Sequence, residues 1–295
     1  MEIPKTIHQI WFQGKAEIPP HLLEYHDTWV TLNPKYEILI WDKTKIENLI
    51  KEQEGWIKDT YFSYKKMIQK IDFAKYVILY TYGGIYIDMD IKCLQSIDNT
   101  PSIAESDIIL SLMPTNLPQK IVLAVVGSMS ISNDPIINNG TIMCIPKNKL
   151  ILLTMKEAYN RKDFPNINNS IHIFATTGPL CLSKAYKLYM EKTNNKDNYK
   201  IHILDKSYFE NCDIFEVNNN SCSIPKHAIG LHYYENSWTS KSEKNMISLM
   251  NVFVKYWYVV LICFLITAYI LFKNFKSTPS IKDIRLKRRR LRPRK

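Results

Sequence analysis

Hydrophobic and polar positions divide the chain into short alternating runs and longer stretches with helical spacing. Runs rich in β-branched and aromatic residues predict strands at 5–12, 36–42, 84–90, 107–113, 140–146, 200–205 and 228–234. Stretches of helical periodicity predict helices at 21–33, 43–53, 61–80, 148–160 and 176–192. Residues 120–132 fit either a helix or a strand. Because strands alternate with helices, we expect an α/β layer fold with a mainly parallel mixed sheet.

Two acids follow the apolar run that begins after Gly83 and Gly84. Asp88 and Asp90 share one face if the strand continues through them, since side chains alternate along a strand. Two neighbouring carboxylates repel each other unless a cation or a proton neutralises one. A solvated strand end is the commoner explanation for such a pair. The alternative is a divalent cation shared with a phosphorylated ligand at the carboxyl end of the sheet.

The positive charge of the chain is concentrated at its C-terminal end. The formal net charge is +11, and the segment from Lys273 onwards holds eleven basic residues and one acid. The preceding 272 residues are therefore nearly neutral. This distribution argues against a broad phosphate-binding surface, and we expect no nucleic-acid partner.

An uncharged run precedes this basic tail. Residues 256–272 contain no charged side chain, and with the apolar positions just before them they approach the roughly 20 residues of a spanning helix. We therefore predict a catalytic domain at 1–245, a transmembrane helix at 252–272 and a basic tail at 273–295. A buried core helix is the alternative for the uncharged run.

The orientation of a single-pass membrane protein of this kind stays open. A lone C-terminal anchor would leave the catalytic domain in the cytosol. The positive-inside rule would keep the basic tail there and place the domain in the lumen. A Golgi-type or ER-type membrane and a host membrane all fit. The six cysteines form no metal-binding spacing, and Cys212 and Cys222 could pair only in an oxidising compartment.

Three sequence blocks occur in a familiar order, IPKTIHQIWFQG, TLNPKYEILIWD and IDFAKYVILYTYGGIYIDMDIKCLQSID. Together they resemble the Och1-like and mannosylinositol-phosphoceramide-synthase-like glycosyltransferases, whose sugar-binding region contains a D-x-D motif. They are more distantly similar to the glucosylating domains of large clostridial toxins. The resemblance continues through NNGTIMCIP, TTGP and HYYENSW, and it covers about residues 1–240. It implies the nucleotide-diphospho-sugar transferase (A-type glycosyltransferase) fold.

The resemblance also implies a metal site. In such enzymes the D-x-D aspartates contact the ribose and bind Mn²⁺ or Mg²⁺ beside the donor pyrophosphate. It implies Asp90 as a direct metal ligand, Asp88 nearer the ribose or a metal-bound water, and His232 as a late ligand. Ser237 and Trp238 would donate to phosphate oxygen. An ordinary strand-edge histidine and a core tryptophan are the structural alternatives for His232 and Trp238.

Further donor-binding positions follow from the same motifs. Trp11 is expected to form a wall for the nucleotide base, unless it belongs to the core. Asp72 and Lys75 share a helix face and are expected to contact the transferred sugar, with a surface salt bridge as the alternative. The family usually has Arg in place of Lys75, and a lysine offers a point charge instead of a bidentate fork. Asn139 and Thr177 are weaker candidates for the lining of the cleft.

The predicted activity is metal-dependent transfer of a hexose from GDP-mannose or a UDP-hexose, with retention at the anomeric carbon. The acceptor would be a membrane lipid such as inositol phosphoceramide, or a glycan hydroxyl. Asp88, Asp90 and Asp72 are the predicted catalytic residues. No second carboxylate is marked as a nucleophile, so we favour a front-face mechanism.

Two other classes of function stay open. One is a metal-dependent hydrolase or phosphotransferase that uses the same acids. The other is a non-catalytic membrane protein that retains the transferase fold. The intact D-x-D and His-x₅-Trp motifs argue against such degeneration, whereas Lys75 argues slightly for it.

Overall fold

The computed structural model describes residues 2–115, 135–164, 169–193, 199–212, 216–217, 219, 221–235, 256–259 and 261–270. The chain divides into two compact units, Met1–Thr239 and Ser240–Lys295. The strands and helices named below all belong to the first unit.

The sheet that carries the first unit is mixed, as predicted. Six strands are ordered β2-β1-β3-β6-β5-β7, and β4 and β8 form a separate two-stranded sheet. Strand β1 pairs in parallel with β2 and β3, and β5 pairs in parallel with β7, whereas β6 is antiparallel to both its neighbours. The strands are β1 (Thr6–Ile10), β2 (Glu37–Trp41), β3 (Gly84–Ile87), β4 (Ile91–Cys93), β5 (Ile108–Leu112), β6 (Ile137–Cys144), β7 (Ile201–Leu204) and β8 (Gly230–His232).

Three of the helices begin at residues that favour a helix start. Pro20 opens the first helix, and the Asp42 carboxylate accepts the amide of Lys45 at the start of the second. Asn148 caps the fifth in the same manner. The helices are α1 (Pro20–Leu32), α2 (Lys43–Lys51), α3 (Gly55–Ser63), α4 (Met67–Tyr82), α5 (Lys149–Asn160), α6 (Asn169–Thr176) and α7 (Pro179–Thr193).

Apolar side chains cover both faces of the six-stranded sheet. Along β3, Ile85 and Ile87 belong to one core cluster with Trp29 of α1, whereas Tyr86 between them belongs to a second cluster with Tyr76 of α4. This is the alternation expected of a strand with helices on both sides. The arrangement places the carboxyl end of β3 between two packed layers.

The Gly83-Gly84 pair joins α4 to β3 in a conformation that other residues rarely adopt. Their φ angles are +66° and +90°. A Cβ atom on Gly84 would lie 2.6 Å from the carbonyl oxygen of Thr6, and one on Gly83 would lie 2.6 Å from the nitrogen of Pro146. The two glycines therefore allow the helix to turn directly into the central strand.

One predicted helix needs correction, two elements were not predicted, and one predicted element falls outside the described residues. The single helix expected over 61–80 is interrupted between α3 and α4. There the buried ring of Tyr64 packs into the core and its hydroxyl donates to the carbonyl of Ala158 (3.1 Å), which holds the backbone extended. Helix α6 and strand β4 were not predicted. Residues 120–132 lie outside the described part of the chain.

In the second unit, residues 256–259 and 261–270 are helical and exposed. Over the residues with a described placement, no helix combines the length and the apolar character needed to cross a membrane. The transmembrane helix expected at 252–272 is therefore not found in this part. Residues 252–255, 260 and 271–272, and the tail at 273–295, lie outside it.

Candidate active site

The two aspartates of the D-x-D motif lie in a tight turn. Strand β3 and its pairing with β6 end at Ile87, and the amide of Asp88 donates to the carbonyl of Gly140 (2.9 Å). The backbone then turns through Asp90 before β4 begins. The prediction that a strand over 84–90 places both carboxylates on one strand face is therefore wrong. The turn, rather than the alternation of side chains along a strand, determines the direction of the two carboxylates.

The turn places Asp90 beside His232. In the β4–β8 ladder Ile91 pairs with His232, and the Nε2 atom of His232 lies 3.4 Å from Oδ1 of Asp90. The other carboxylate oxygen of Asp90 accepts the amide of Glu235 (2.9 Å). One ligand atom each from Asp88, Asp90 and His232 lie within 4.8 Å of one another. We call these three residues the ligand cluster.

The ionisation of the ligand cluster is strongly perturbed. Burial raises the pKa of Asp90, but His232 and hydrogen bonds outweigh burial and hold that pKa below its usual value. Burial lowers the pKa of His232, but the carboxylates of Glu210 and Asp90 hold it well above its usual value. Burial raises the pKa of Asp88, against the opposing charge of Lys75. The cluster therefore stabilises positive charge at its centre.

The carboxylate of Asp88 is oriented by two donors on one oxygen. Its Oδ1 accepts the hydroxyl of Tyr86 (2.7 Å) and the ammonium of Lys75 (3.3 Å). A Cβ atom on Gly140 would lie 2.8 Å from the other oxygen. Glycine at this position of β6 therefore gives the second oxygen of Asp88 its space.

Lys75 is a buried cation that the protein surrounds with acceptors. Its side chain is 2% exposed, and its Nζ lies 3.1 Å from Asp72, 3.3 Å from Asp88 and 3.3 Å from the carbonyl of Asn139. An ammonium group has three N–H donors, and these three acceptors satisfy them. Burial lowers the pKa of Lys75, but the carboxylates of Asp88 and Asp72 outweigh burial and raise it. Asp72 and Lys75 therefore form an ion pair, as in the structural alternative, but the pair is buried rather than on the surface. Their predicted contact with the transferred sugar stays a prediction.

Asp72 is held from two further sides. Its Oδ1 accepts the side-chain amide of Asn139 (3.0 Å), and its Oδ2 accepts the hydroxyl of Thr177 (3.0 Å). Tyr76 donates to the carbonyl of Thr177 (2.8 Å). We call Asp72, Lys75, Asn139 and Thr177 the buried network. The two weaker candidates from the sequence, Asn139 and Thr177, thus orient Asp72 in this structure.

A cleft connects the ligand cluster with the buried network. Trp11 lines it and donates its indole N–H to the carbonyl of Glu17 (3.0 Å). An apolar wall of the cleft comes from α4 and α6; it includes Met67, Ile68, Ile71, Ile173 and Phe174. The cleft therefore combines a polar, acidic end with an apolar side.

Sequence reasoning missed one acid of the site. Glu210 is 1% exposed, and both its oxygens lie 3.0 Å from Nδ1 of His232. No motif marks it, because its role depends on a segment that reaches β8 from 22 residues away. It lies two residues before Cys212, which forms a disulfide with Cys222. Ser237 and Trp238, both predicted from the sequence, lie outside the described residues.

The ligand cluster fits a divalent metal ion. Two carboxylates and one imidazole supply oxygen and nitrogen donors, and their spacing allows all three to reach one ion. Carboxylate oxygen suits Mg²⁺ and Mn²⁺. Sites of this composition occur in enzymes that use a divalent ion to bind or activate phosphorylated ligands.

Comparison with known proteins makes the class specific. Residues 19–107 match the family model described as glycosyltransferase sugar-binding region containing DXD motif. This segment contains Asp72, Lys75, Asp88 and Asp90 and ends well before His232. The resemblance predicted from the sequence is therefore confirmed.

Two relatives extend the similarity beyond this segment. The chain is 29% identical over 218 residues to an uncharacterized glycosyltransferase of Acanthamoeba polyphaga mimivirus. The aligned region covers 74% of this chain and 76% of the relative. It is 26% identical to a mannosyl phosphorylinositol ceramide synthase of Saccharomyces cerevisiae, over 74% of this chain and 52% of the relative. It therefore spans about half the length of the yeast synthase. These similarities confirm the predicted enzyme class, a glycosyltransferase.

The fold was also compared with solved structures. The PaToxG glycosyltransferase superimposes with a TM-score of 0.45 at 16% sequence identity, over 66% of this chain and 72% of that chain.

Proposed function

We propose that this chain is a metal-dependent glycosyltransferase that moves a hexose from a nucleoside diphosphate to a hydroxyl group. The observation that carries the proposal is the convergence of Asp88, Asp90 and His232 within 4.8 Å at one end of a cleft. The buried carboxylate of Asp72 lines the same cleft. A cation site and a polar site for a sugar thus lie side by side.

The ligand cluster would hold Mn²⁺ or Mg²⁺, and such an ion supplies neutralisation of the charge that develops on the departing diphosphate. The protein contributes fixed positions for the groups around it. The amide of Glu235 orients Asp90, and Tyr86 with Lys75 orients Asp88. Because these partners are already in place, little reorganisation is needed when charge develops.

The donor would extend along the cleft from the ligand cluster. We assign Trp11 to the wall beside the base, and Ser237 and Trp238 to the diphosphate. Asp72 would accept hydroxyl groups of the transferred sugar. In this arrangement Lys75 acts on the sugar through Asp72, because its own donors are satisfied within the protein.

The transfer would retain the anomeric configuration by a front-face mechanism. A double displacement needs a free carboxylate beside the anomeric carbon. Among the described residues of the cleft, Asp72 has both oxygens hydrogen-bonded to the buried network, and Glu235 pairs with His21 (3.4 Å). These contacts favour direct transfer, in which the leaving phosphate accepts the proton of the incoming hydroxyl.

Mannose is the first sugar to test, because the similar yeast protein is a mannosyl phosphorylinositol ceramide synthase. We propose GDP-mannose as the donor, with a UDP-hexose as the alternative. The acceptor would be inositol phosphoceramide or another lipid, and a glycan hydroxyl is its rival. The apolar wall formed by Met67, Ile71 and Phe174 supports an acceptor with an apolar part.

We further propose the A-type glycosyltransferase fold for a catalytic domain at 1–245 and membrane attachment through 252–272. The mixed sheet and the ligand cluster after its central strand support the first assignment. The uncharged run before the basic tail supports the second. Alkaline carbonate extraction of membranes from expressing cells tests the attachment. Release of the full chain into the supernatant would contradict it.

A ligand panel tests the activity. Thermal unfolding is measured with GDP-mannose, UDP-glucose, UDP-galactose and UDP-N-acetylglucosamine, each with and without Mn²⁺. We expect one nucleotide sugar to raise Tm only when Mn²⁺ is present, because a ligand of the native state stabilises it. That donor is then used for transfer to inositol phosphoceramide or a mannose oligosaccharide. Absence of any metal-dependent shift and of any transfer would overturn the proposal.

A further inference from the structure

A second layer of contacts surrounds His232 on the side away from Asp90. Both oxygens of Glu210 lie 3.0 Å from Nδ1 of His232, whereas Nε2 faces Asp90 at 3.4 Å. The two ring nitrogens therefore have different partners. A histidine that donates its Nδ1–H to a carboxylate keeps the Nε2 lone pair for a metal, and such a partner also fixes the ring orientation.

Tyr234 contacts both Glu210 and His232. Its hydroxyl lies 2.8 Å from Oε2 of Glu210 and 3.0 Å from the carbonyl of Cys212. Its ring stacks on His232, with 4.1 Å between the ring centroids and 22° between the planes. One side chain thus contacts the imidazole, the carboxylate that orients it, and the backbone of the segment that carries the carboxylate.

The backbone at Tyr234 is strained in a manner that matches this role. Its φ angle is +51°, in the left-handed region that residues other than glycine seldom adopt. Such a conformation is unfavourable and persists where surrounding contacts enforce it. The contacts are those to Glu210 and Cys212, and the disulfide between Cys212 and Cys222 ties that segment to the chain.

We propose that Glu210 and Tyr234 are positioning residues for the metal site, which present Nε2 of His232 to the ion. Glu210 holds the Nδ1–H, and Tyr234 fixes Glu210 and the plane of the imidazole ring. The proposal rests on the proposed function, because it requires the ligand cluster to bind a divalent cation. It adds a requirement that lies outside the sugar-binding segment at 19–107.

The test is the affinity of the full chain for Mn²⁺ alone, measured from the free-ion signal in electron paramagnetic resonance. We expect Glu210→Ala to weaken binding by about 10-fold to 100-fold, the usual effect of removing such a partner. Glu210→Gln keeps an oxygen acceptor for the Nδ1–H and should recover part of that loss. Tyr234→Phe keeps the ring and removes only the hydroxyl, so it should weaken binding by a few-fold.

Tyr36→Phe is the matched control, because the Tyr36 hydroxyl also donates to a carboxylate, that of Asp98 (2.6 Å), away from the cleft. Its Mn²⁺ affinity should equal that of the wild type. Asp90→Asn is the reference for loss of a direct ligand. Circular dichroism and the urea midpoint show which variants are folded; if Glu210→Ala is not, Tyr234→Phe decides.

The outcomes separate this proposal from the proposed function. If Asp90→Asn abolishes Mn²⁺ binding while the Glu210 and Tyr234 variants bind like the wild type, the positioning role is overturned and the metal site stands. If the wild type binds Mn²⁺ no more tightly than Asp90→Asn, the metal site itself is overturned, and the positioning role with it. Graded loss in the order Glu210→Ala, Glu210→Gln, Tyr234→Phe, with Tyr36→Phe unchanged, supports the proposal.

Discussion

The ligand cluster and the buried network lie in one cleft but differ in how their charges are balanced. In the buried network, Asp72 and Lys75 pair at 3.1 Å, and Asn139 and Thr177 supply further hydrogen bonds to Asp72. In the ligand cluster, two carboxylates face one imidazole, and the surroundings raise the pKa of that imidazole well above its usual value. In the buried network the charges of Asp72 and Lys75 balance each other. The ligand cluster instead stabilises an added positive charge.

This difference in charge balance suggests that the buried network provides a fixed shape and that the ligand cluster provides negative charge. A buried ion pair contributes little net stability when it is compared with apolar residues, but removal of one partner is costly. The buried network is therefore suited to hold a fixed shape against a neutral sugar. The ligand cluster is suited to recruit a cation and, with it, a diphosphate. Variants in each region should consequently fail in different ways.

The largest expected effect is on stability and comes from the buried network. Lys75→Met removes the cation between Asp72 and Asp88 and leaves two carboxylates in a largely buried site. We expect the free energy of unfolding to fall by about 3–5 kcal/mol, the usual cost of breaking a buried ion pair. Urea unfolding followed by circular dichroism measures it.

Lys70→Met is the control for this variant. Lys70 lies on the same helix and contacts the rings of Tyr61 and Phe62 (5.4 and 6.0 Å) rather than a buried acid. It should change the free energy of unfolding by less than about 1 kcal/mol. Equal stability of Lys75→Met and the wild type would contradict the view that the buried network depends on its cation.

Variants of the ligand cluster should lose activity more than stability. Asp90→Asn keeps the size of the side chain but removes the charge that a cation needs. We expect Mn²⁺-dependent sugar transfer to fall by at least about 100-fold. The free energy of unfolding should fall by less than in Lys75→Met, because His232 keeps the carboxylate of Glu210 as a partner. Initial rates over a range of Mn²⁺ concentrations measure the effect. Asp98→Asn, a surface acid bonded to Tyr36, serves as the control. Wild-type rates for Asp90→Asn would show that the cluster does not carry the reaction.

The pH dependence of stability tests a residue outside both regions, His8. His8 is buried; its Nε2 lies 3.0 Å from the carbonyl of Gly83, and its Nδ1 accepts the indole N–H of Trp41 (3.1 Å). Burial lowers the pKa of His8 to about 4, although the hydrogen bond with Gly83 opposes this shift. The unfolded chain, with a pKa near 6.5, binds the proton more readily, so stability falls as the pH drops from 6.5 towards 4.

From this shift we expect His8 to account for a loss of about 2 kcal/mol in the free energy of unfolding between pH 7 and pH 5. His232 cannot account for it, because its pKa is raised and its contribution changes above pH 6.5 rather than below. Urea unfolding of the wild type and of His8→Gln at both pH values measures the difference. The same pH-dependent loss in His8→Gln would assign the effect to other groups.

The sequence predicts the ligand cluster better than its supports. Asp88, Asp90 and His232 lie in recognisable motifs, and the structure brings them together. Glu210 lies in no motif, and its contact with His232 exists only because a distant segment packs against β8. Lys75 is a candidate from the sequence, but only the structure shows that its donors are all satisfied by protein acceptors.

The errors in the predicted elements have a related cause. Apolar periodicity locates every described strand except β4. It extends β3 through 84–90, because it cannot detect the turn that Asp88 makes when its amide bonds to Gly140. It also predicts one helix over 61–80, which joins the end of α3 to α4, because the buried ring of Tyr64 continues the helical pattern in an extended segment. In both places a tertiary contact overrides the local pattern. Local periodicity contains no information on such contacts.

The smallest predicted effect tests whether the space beside Asp88 matters. Gly140→Ala would place a Cβ atom 2.8 Å from Oδ2 of Asp88 and 3.2 Å from Oδ1 of Asn138. Gly55→Ala is its matched control, since a Cβ there has no neighbour within 4 Å. We expect Gly140→Ala to lower kcat by about 10-fold, because small displacements of a ligand cost activity. Gly55→Ala should leave kcat unchanged.

This pair of alanine variants distinguishes a displaced ligand from a general loss of stability. Both replace a glycine whose φ angle lies outside the left-handed region, so neither introduces backbone strain of that kind. If Gly140→Ala acts through Asp88, its Mn²⁺ affinity should fall together with kcat while the protein stays folded. If kcat falls while the Mn²⁺ affinity is unchanged, the loss of activity does not arise in the ligand cluster. It would then arise at the buried network, where the sugar is proposed to bind.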